Sequence, residues 1–90
     1  MLRGKVTIIN RLGLHARAAA QLVRLASGFQ SKIKLARTDN SVIADAKSIL
    51  SVLTLAASKG VELEIEIEGE DEQAAFEAVR EIFKNGFGEL

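Results

Sequence analysis

The sequence predicts an α/β two-layer sandwich, in which a four-stranded antiparallel sheet carries three helices on one face and leaves the other face open to solvent. Its strand-like and helix-like segments follow the order β-α-β-β-α-β-α. The segment VELEIEIE, residues 61–68, alternates strictly between apolar and acidic side chains, as in a strand with one buried face. The chain has 90 residues, 48% of them hydrophobic, which predicts one compact domain over residues 1–90.

The first two elements lie on either side of His15, the sole histidine of the chain. Residues 5–9 predict a strand, and residues 16–27 predict a helix that ends at Gly28. The helix has an apolar stripe of Ala19, Leu22, Val23 and Ala26, and an opposite stripe of Arg17, Gln21 and Arg24. The apolar stripe predicts the side that packs on the core.

A hairpin follows the first helix. Residues 32–37 alternate as in a strand, TDNS at 38–41 supplies turn residues, and residues 42–44 complete the hairpin. Lys32 and Lys34 would point to solvent, as the glutamates of the later strand would. Pairing of the second and fourth strands would therefore neutralise the open face of the sheet.

The second half of the chain supplies a helix, a strand and a final helix. The apolar run at residues 46–59 predicts a helix that ends before Gly60. In the strand at 61–68, the residues expected to face the core are Val61, Leu63, Ile65 and Ile67. The last helix is expected to open at Asp71, with acids in its first turn, and to end near Lys84 and Gly86.

Composition argues against several classes of function. Twelve basic and twelve acidic residues cancel, whereas a nucleic-acid-binding protein needs a basic surplus. With no cysteine and one histidine, we expect no metal site, no thiolate nucleophile and no cofactor. Because no apolar run has the length of a signal peptide or a membrane span, we expect a cytoplasmic protein without membrane contact. We also expect a monomer.

His15 stands where a helix begins, a position that usually takes Ser, Thr, Asp or Asn. The unpaired N–H groups and the dipole at a helix start stabilise an anion and disfavour an imidazolium. A neutral imidazole is a nucleophile, and a phosphoryl group on it would lie beside these amides and Arg17, with Arg24 on the same stripe. Without further observations, a histidine at a helix start is more often a solvated surface residue than a nucleophile.

Three segments, NRLGLHARAAAQLVRLAS, DAKSILSVLTLAASKG and EGEDEQAAFEAV, resemble the HPr family over essentially the whole chain. HPr proteins are the histidine-containing phosphocarriers of the bacterial phosphoenolpyruvate-dependent phosphotransferase system. The resemblance implies that His15 accepts a phosphoryl group on Nδ1 from enzyme I and passes it to the IIA domains of sugar permeases. It also implies that Arg17 supports the phosphate, that the strand order is 1-4-2-3, and that the protein is a carrier and not an enzyme.

Two further positions carry expectations from the resemblance. Ser48 matches a serine that HPr kinase/phosphorylase modifies in some bacteria, which promotes regulatory complexes, for instance with a transcriptional regulator. From the residues alone, Ser48 or Asp45 is expected to be the N-cap of the second helix. Ala18 stands where the family commonly has proline. Without the proline, whose ring fixes φ, the helix start loses about 0.4–1 kcal/mol of preorganisation.

The segment after Ser48 is apolar nearly all round, yet a helix on one face of a sheet cannot bury every side. We therefore expect a docking patch for partner proteins near His15. Its expected members are Ala20, Ile49, Leu50 and Leu53, ringed by Arg17, Arg24 and Lys47. The alternative is that this helix lies deep in the core.

Two other functions stay open. An HPr paralogue of a nitrogen-linked or purely regulatory branch would use the same chemistry without serving sugar uptake. An ACT-like domain, which binds a metabolite between subunits, also suits the β-α-β-β-α-β order and has no need of His15. Enzymatic catalysis is least favoured, because no second acid or base accompanies His15 in so short a chain.

Overall fold

The computed structural model describes residues 1–89. Its elements in chain order are β1 (Leu2–Thr7), α1 (Ala16–Ser27), β2 (Lys32–Arg37), β3 (Ile43–Asp45), α2 (Ile49–Leu53), β4 (Glu62–Glu68) and α3 (Glu72–Lys84), followed by a 3-10 turn at Gly86–Gly88. The strands form an antiparallel sheet in the order β1-β4-β2-β3. The predicted fold class is confirmed, as is the strand order that the resemblance implied.

Two elements, α1 and β2, have the predicted bounds, whereas both edge strands are displaced. β1 covers residues 2–7 and not 5–9, because Ile8 leaves the ladder, is buried in the core and donates its N–H to the Val61 carbonyl (3.0 Å). β3 begins one residue later than predicted, since buried Ala44 is the centre of its pairing with Leu35. Small shifts of this kind are set by the partner strand and not by the segment itself.

The prediction for α2 is wrong in length. The sequence predicts a helix over 46–59, but α2 covers five residues. Ala56 has a φ of +48°, a left-handed conformation that cannot continue a helix. The change of direction buries Leu55 and Ala57, which are 1% and 4% exposed. Burial of these two side chains therefore overrides the helical pattern.

The central strand β4 pairs with both β1 and β2. Lys32 lies opposite Glu68 and Lys34 opposite Glu66, so the predicted pairing of the second and fourth strands is confirmed. The alternate side chains of β4 form the middle of the core: Leu63, Ile65 and Ile67. Acidic and basic residues thus share the open face, and apolar residues share the covered one.

The core lies between the sheet and the helices. The helices α1 and α3 contribute Ala18, Ala19, Leu22, Ala26, Ala75, Val79 and Phe83. Val23 and Val61, both predicted for the core, are only partly buried at its edge. Within residues 1–89, none of the helices is long and apolar enough to cross a membrane.

Asp71 precedes α3, which begins one residue later than predicted, but its side chain does not cap the helix. The carboxylate instead accepts from the Gln30 N–H (2.8 Å), the Ser31 N–H (2.9 Å) and the Ser31 hydroxyl (2.5 Å). These bonds, with the Ser31 hydroxyl foremost, hold the pKa of Asp71 below its usual range. Asp71 therefore ties the start of α3 to the loop before β2.

Candidate functional site

His15 is the N-cap residue of α1, with extended backbone angles of φ −71° and ψ 177°. Its Nδ1 accepts from the N–H of Arg17 at 3.3 Å, and its carbonyl accepts from the N–H of Ala19 at 2.8 Å. A ring nitrogen thus fills the place that a Ser or Asp oxygen fills at other helix starts. The long N···N distance marks a weak cap, which an incoming group can displace.

The loop before His15 is braced by the segment that follows α2. The N–H of Leu14 donates to the Ala57 carbonyl at 2.9 Å. Gly13 has a φ of +65°, and a Cβ at this position would lie 2.5 Å from the same carbonyl oxygen. Only glycine fits both the dihedral angle and the close approach. The short length of α2 is therefore part of what fixes the backbone at His15.

Glu89 binds the other ring nitrogen of His15. The distance from His15 Nε2 to Glu89 Oε2 is 2.5 Å, and Glu89 Oε1 accepts from the side-chain amide of Asn10 at 2.9 Å. The bond from Asn10 is the largest cause that keeps the pKa of Glu89 below its usual range, and the bond with His15 acts in the same direction. Glu89 is therefore an ionised acceptor at neutral pH.

These contacts select one tautomer of the neutral ring. Nε2 faces an ionised carboxylate and must carry the proton, whereas Nδ1 accepts from an amide and must be unprotonated. The assignment follows from the hydrogen-bond partners. It leaves the Nδ1 lone pair as the nucleophilic one, directed at the first turn of α1.

Arg17 and Arg24 lie on the exposed side of α1, as predicted. The positive charge of Arg17 contributes to the lowered pKa of Glu89, after the hydrogen bonds from Asn10 and His15. Ala18, at the third position of α1, is fully buried, and the helix begins at Ala16 without a proline. The imidazole of His15, the guanidinium of Arg17 and the start of α1 thus lie within one turn of each other.

Three of the four apolar residues expected to dock partners are exposed on α2. Leu50 is 79% exposed, and Ile49 and Leu53 are 42% and 37% exposed, while Val52 is buried beneath them. Ala20 on α1 is half-buried. We call Ala20, Ile49, Leu50 and Leu53 the α2 patch. The exposed aliphatic surface that Ile49, Leu50 and Leu53 present on one short helix is typical of an interaction site.

Lys47 and Ser48 are less exposed than Ile49, Leu50 and Leu53. The Lys47 ammonium donates to the Phe29 carbonyl at 2.7 Å, so its charge is tied to the end of α1. The hydroxyl of Ser48 accepts from the N–H of Ser51 at 3.2 Å, which makes Ser48 the N-cap of α2. Asp45, the other predicted cap, accepts from the Lys47 N–H at 2.9 Å instead.

Asn10 and Glu89 also belong to the site, although the sequence pattern predicts neither of them. Glu89 lies 74 residues from His15 and 79 from Asn10 along the chain. A lone glutamate after the Gly-Phe-Gly segment at 86–88 gives no local pattern that indicates a site. The one signal in the sequence is Asn10 itself, a polar residue that directly follows the apolar pair Ile8 and Ile9.

Comparisons with known proteins agree on one family. A family model described as "PTS HPr component phosphorylation site" matches residues 2–85. The phosphocarrier protein HPr of Cupriavidus necator is 48% identical, with 99% of this chain and 98% of that protein covered. A crystal structure of HPr from Thermoanaerobacter tengcongensis superimposes with a TM-score of 0.92 at 38% identity, covering 100% of this chain and 99% of that one. A structure of an HPr dimer from the same organism has a TM-score of 0.76 at 36% identity, covering 99% and 100%.

Proposed function

This chain belongs to the HPr family of phosphocarrier proteins of the phosphotransferase system, and from that premise we propose that His15 is its phosphoryl acceptor. A phosphocarrier is a substrate and a donor in turn, and not a catalyst. The observation that supports the assignment is the environment of the ring, whose Nδ1 faces the first turn of α1 while Nε2 is bound by Glu89.

The proposed transfer is an in-line displacement at phosphorus, which asks for positioning and charge stabilisation. The Nδ1 lone pair forms the new bond to phosphorus as the bond between phosphorus and the donor breaks. The donor leaves with the electron pair of the broken bond. The proton on Nε2 stays in its bond with Glu89, which stabilises the positive charge that the ring acquires. The Arg17 N–H, released from Nδ1, can then donate to a phosphoryl oxygen beside the Arg17 guanidinium.

We assign enzyme I as the donor and the IIA domains of sugar permeases as the acceptors, with the α2 patch as the surface they contact. The exposed guanidinium groups of Arg17 and Arg24 suit acidic partner surfaces, and Lys47 adds less because its ammonium is already bonded. A carrier must leave each partner quickly, so the contact is expected to be weak and brief.

The substitution Leu50→Ser tests this surface. It should slow phosphoryl exchange with enzyme I about tenfold, because a buried leucine contributes about 1.5 kcal/mol or more to an apolar interface. The free energy of unfolding should not change, since the side chain is exposed. The control is Ile43→Ser, an exposed aliphatic on the opposite face of the sheet. Equal exchange rates for the two variants would remove the α2 patch from the proposal.

Regulation at Ser48 by HPr kinase/phosphorylase, with a transcriptional regulator as a further partner, is the second part of the proposal. A phosphate on Ser48 would lie beside the α2 patch and change its charge, which would weaken exchange with enzyme I. A nitrogen-linked or purely regulatory branch would use the same His15 chemistry and stays the alternative. The single-domain, monomeric and cytoplasmic character of the protein stays a prediction.

The proposed function is tested by incubation with phosphoenolpyruvate, magnesium and enzyme I, followed by intact-mass measurement at alkaline pH, which preserves a phosphoramidate. The expected result is one added phosphate on the native protein and none on His15→Ala. If the native protein gains no phosphate with enzyme I of its own organism, the carrier assignment fails. Titration of that protein with amino acids would then test the ACT-like alternative.

A further inference from the structure

We propose that Asn10 is a positioning residue for phosphoryl transfer, because it holds the Glu89 carboxylate against His15 Nε2 and so keeps the nucleophilic lone pair on Nδ1. The inference rests on the proposed function of His15 and adds to it a residue that touches neither phosphate nor partner. It concerns three side chains that lie far apart in the chain and meet at the start of α1.

Asn10 is fully buried and uses both protons of its amide. Its Nδ2 donates to the Gly13 carbonyl at 2.9 Å and to Glu89 Oε1 at 2.9 Å. The first bond fixes the loop that leads into His15, and the second fixes the carboxylate that binds the ring. One amide group therefore sets the positions of both the backbone and the acceptor at the site.

The other end of the same amide is unpaired. Asn10 Oδ1 is buried and has no hydrogen-bond partner within residues 1–89. A buried acceptor without a partner lowers stability, so a purely structural role would favour a different side chain. Rotation of the amide by 180° would place Oδ1 against two acceptor oxygens, which fixes the orientation. Asn10 thus serves as a double donor directed at the site.

Glu89 is held from the other side by the turn at Gly86–Gly88. Phe87 is buried there, with its ring 5.1 Å from that of Phe83 in an edge-to-face arrangement. The Glu89 N–H donates to the Gly86 carbonyl at 3.0 Å. Backbone and side chain of Glu89 are therefore both fixed, which is the arrangement that a precise hydrogen bond to His15 requires.

The test is ¹⁵N NMR of the His15 ring, which distinguishes the two tautomers and needs no phosphoryl donor. The native protein should show mainly the tautomer with the proton on Nε2. In Glu89→Gln the new amide can donate to Nε2, so the proton should move to Nδ1 in a large fraction of the molecules. The matched control is Glu77→Gln, an exposed glutamate of α3, which should leave the ring unchanged.

Asn10→Asp tests Asn10 directly, because it keeps the volume and removes both donors. We expect the same loss of the Nε2–H tautomer and a fall of about tenfold in phosphorylation rate, the size typical of supporting residues. If this variant does not fold, hydrogen exchange in the native protein replaces it. The Asn10 side-chain protons should be protected, and one of them should lose protection in Glu89→Ala.

The outcomes separate this inference from the proposed function. A native ring with its proton mainly on Nδ1, a folded Asn10→Asp that keeps the native tautomer, or Asn10 protons that exchange alike in native protein and Glu89→Ala would each overturn the role of Asn10. Each of these can occur while His15 is phosphorylated normally. Failure of His15 to accept phosphate with the tautomer as expected would overturn the proposed function.

Discussion

Asp71 and Glu89 are two carboxylates that hold distant parts of the chain together, and hydrogen bonds lower the pKa of each. Asp71 accepts from two backbone N–H groups and a hydroxyl, at Gln30 and Ser31. Glu89 accepts from two side chains, Asn10 and His15. A carboxylate bonded to backbone amides fixes a loop, whereas a carboxylate bonded to an imidazole also decides which ring nitrogen is reactive.

Because the two carboxylates have different partners, we expect the phosphorylation rate and the free energy of unfolding to respond to different substitutions. The largest expected effect is on chemistry, from Arg17→Ala. Loss of one guanidinium at the phosphate should slow phosphorylation by about 10²–10³-fold, as removal of a stabilising donor does elsewhere. Because Arg17 is exposed, the free energy of unfolding should change by less than about 0.5 kcal/mol.

Rapid-quench phosphorylation assays and urea unfolding of the same preparation measure the two quantities. The control is Arg80→Ala, an exposed arginine of α3 outside the His15 site. A variant Arg17→Ala that is phosphorylated at the native rate would show that the helix start alone supports the phosphate.

The substitution Asp71→Asn should act in the opposite sense, lowering stability and leaving phosphorylation at the native rate. The folded-state pKa of Asp71 lies below the ordinary 3.8, so its contribution is present above that value and is lost as pH falls through the folded pKa. The difference in urea midpoint between native protein and variant should therefore be full near about pH 6 and shrink below about pH 4. A difference that stays constant with pH would contradict the assignment of the stabilisation to the ionised carboxylate.

The smallest expected effect comes from Ala56→Gly, which probes the segment that braces the loop before His15. Ala56 has a φ of +48°, and a non-glycine residue in this region carries a cost of about 1 kcal/mol. Glycine should therefore raise the free energy of unfolding by up to about that amount, measured by urea denaturation, with no change in phosphorylation rate. A loss of stability would indicate that the flexibility of glycine in the unfolded chain outweighs the strain.

Ala56 also shows where prediction from sequence ends for the fold. The bounds of α1 and β2 could be predicted because their patterns are local, and each ends at a glycine or a turn segment. The length of α2 could not, because Leu55 and Ala57 continue the apolar run of the predicted helix but are buried by a left-handed turn instead. Tertiary packing decides where such a helix ends, and the periodicity of apolar residues along the chain carries no information about that packing.

In the candidate site, too, some residues could be predicted from the sequence and others could not. The placement of His15 and Arg17 at the start of α1 could be predicted, because the helix pattern begins directly after His15 in the sequence. Glu89 could not, since its contact with His15 depends on how the turn at Gly86–Gly88 returns the chain to the start of α1. The buried amide of Asn10, which orients Glu89, is visible only once its partners are in place.

The most direct test of the proposed role of His15 is to measure which ring nitrogen carries the phosphate. Protein labelled with ¹⁵N in histidine would be phosphorylated by enzyme I and phosphoenolpyruvate, and the phosphorus–nitrogen coupling assigned by NMR. We predict a phosphate on Nδ1 of His15, with the proton retained on Nε2 beside Glu89. A phosphate on Nε2 would contradict it, because that nitrogen would then have to leave the Glu89 carboxylate before it could react.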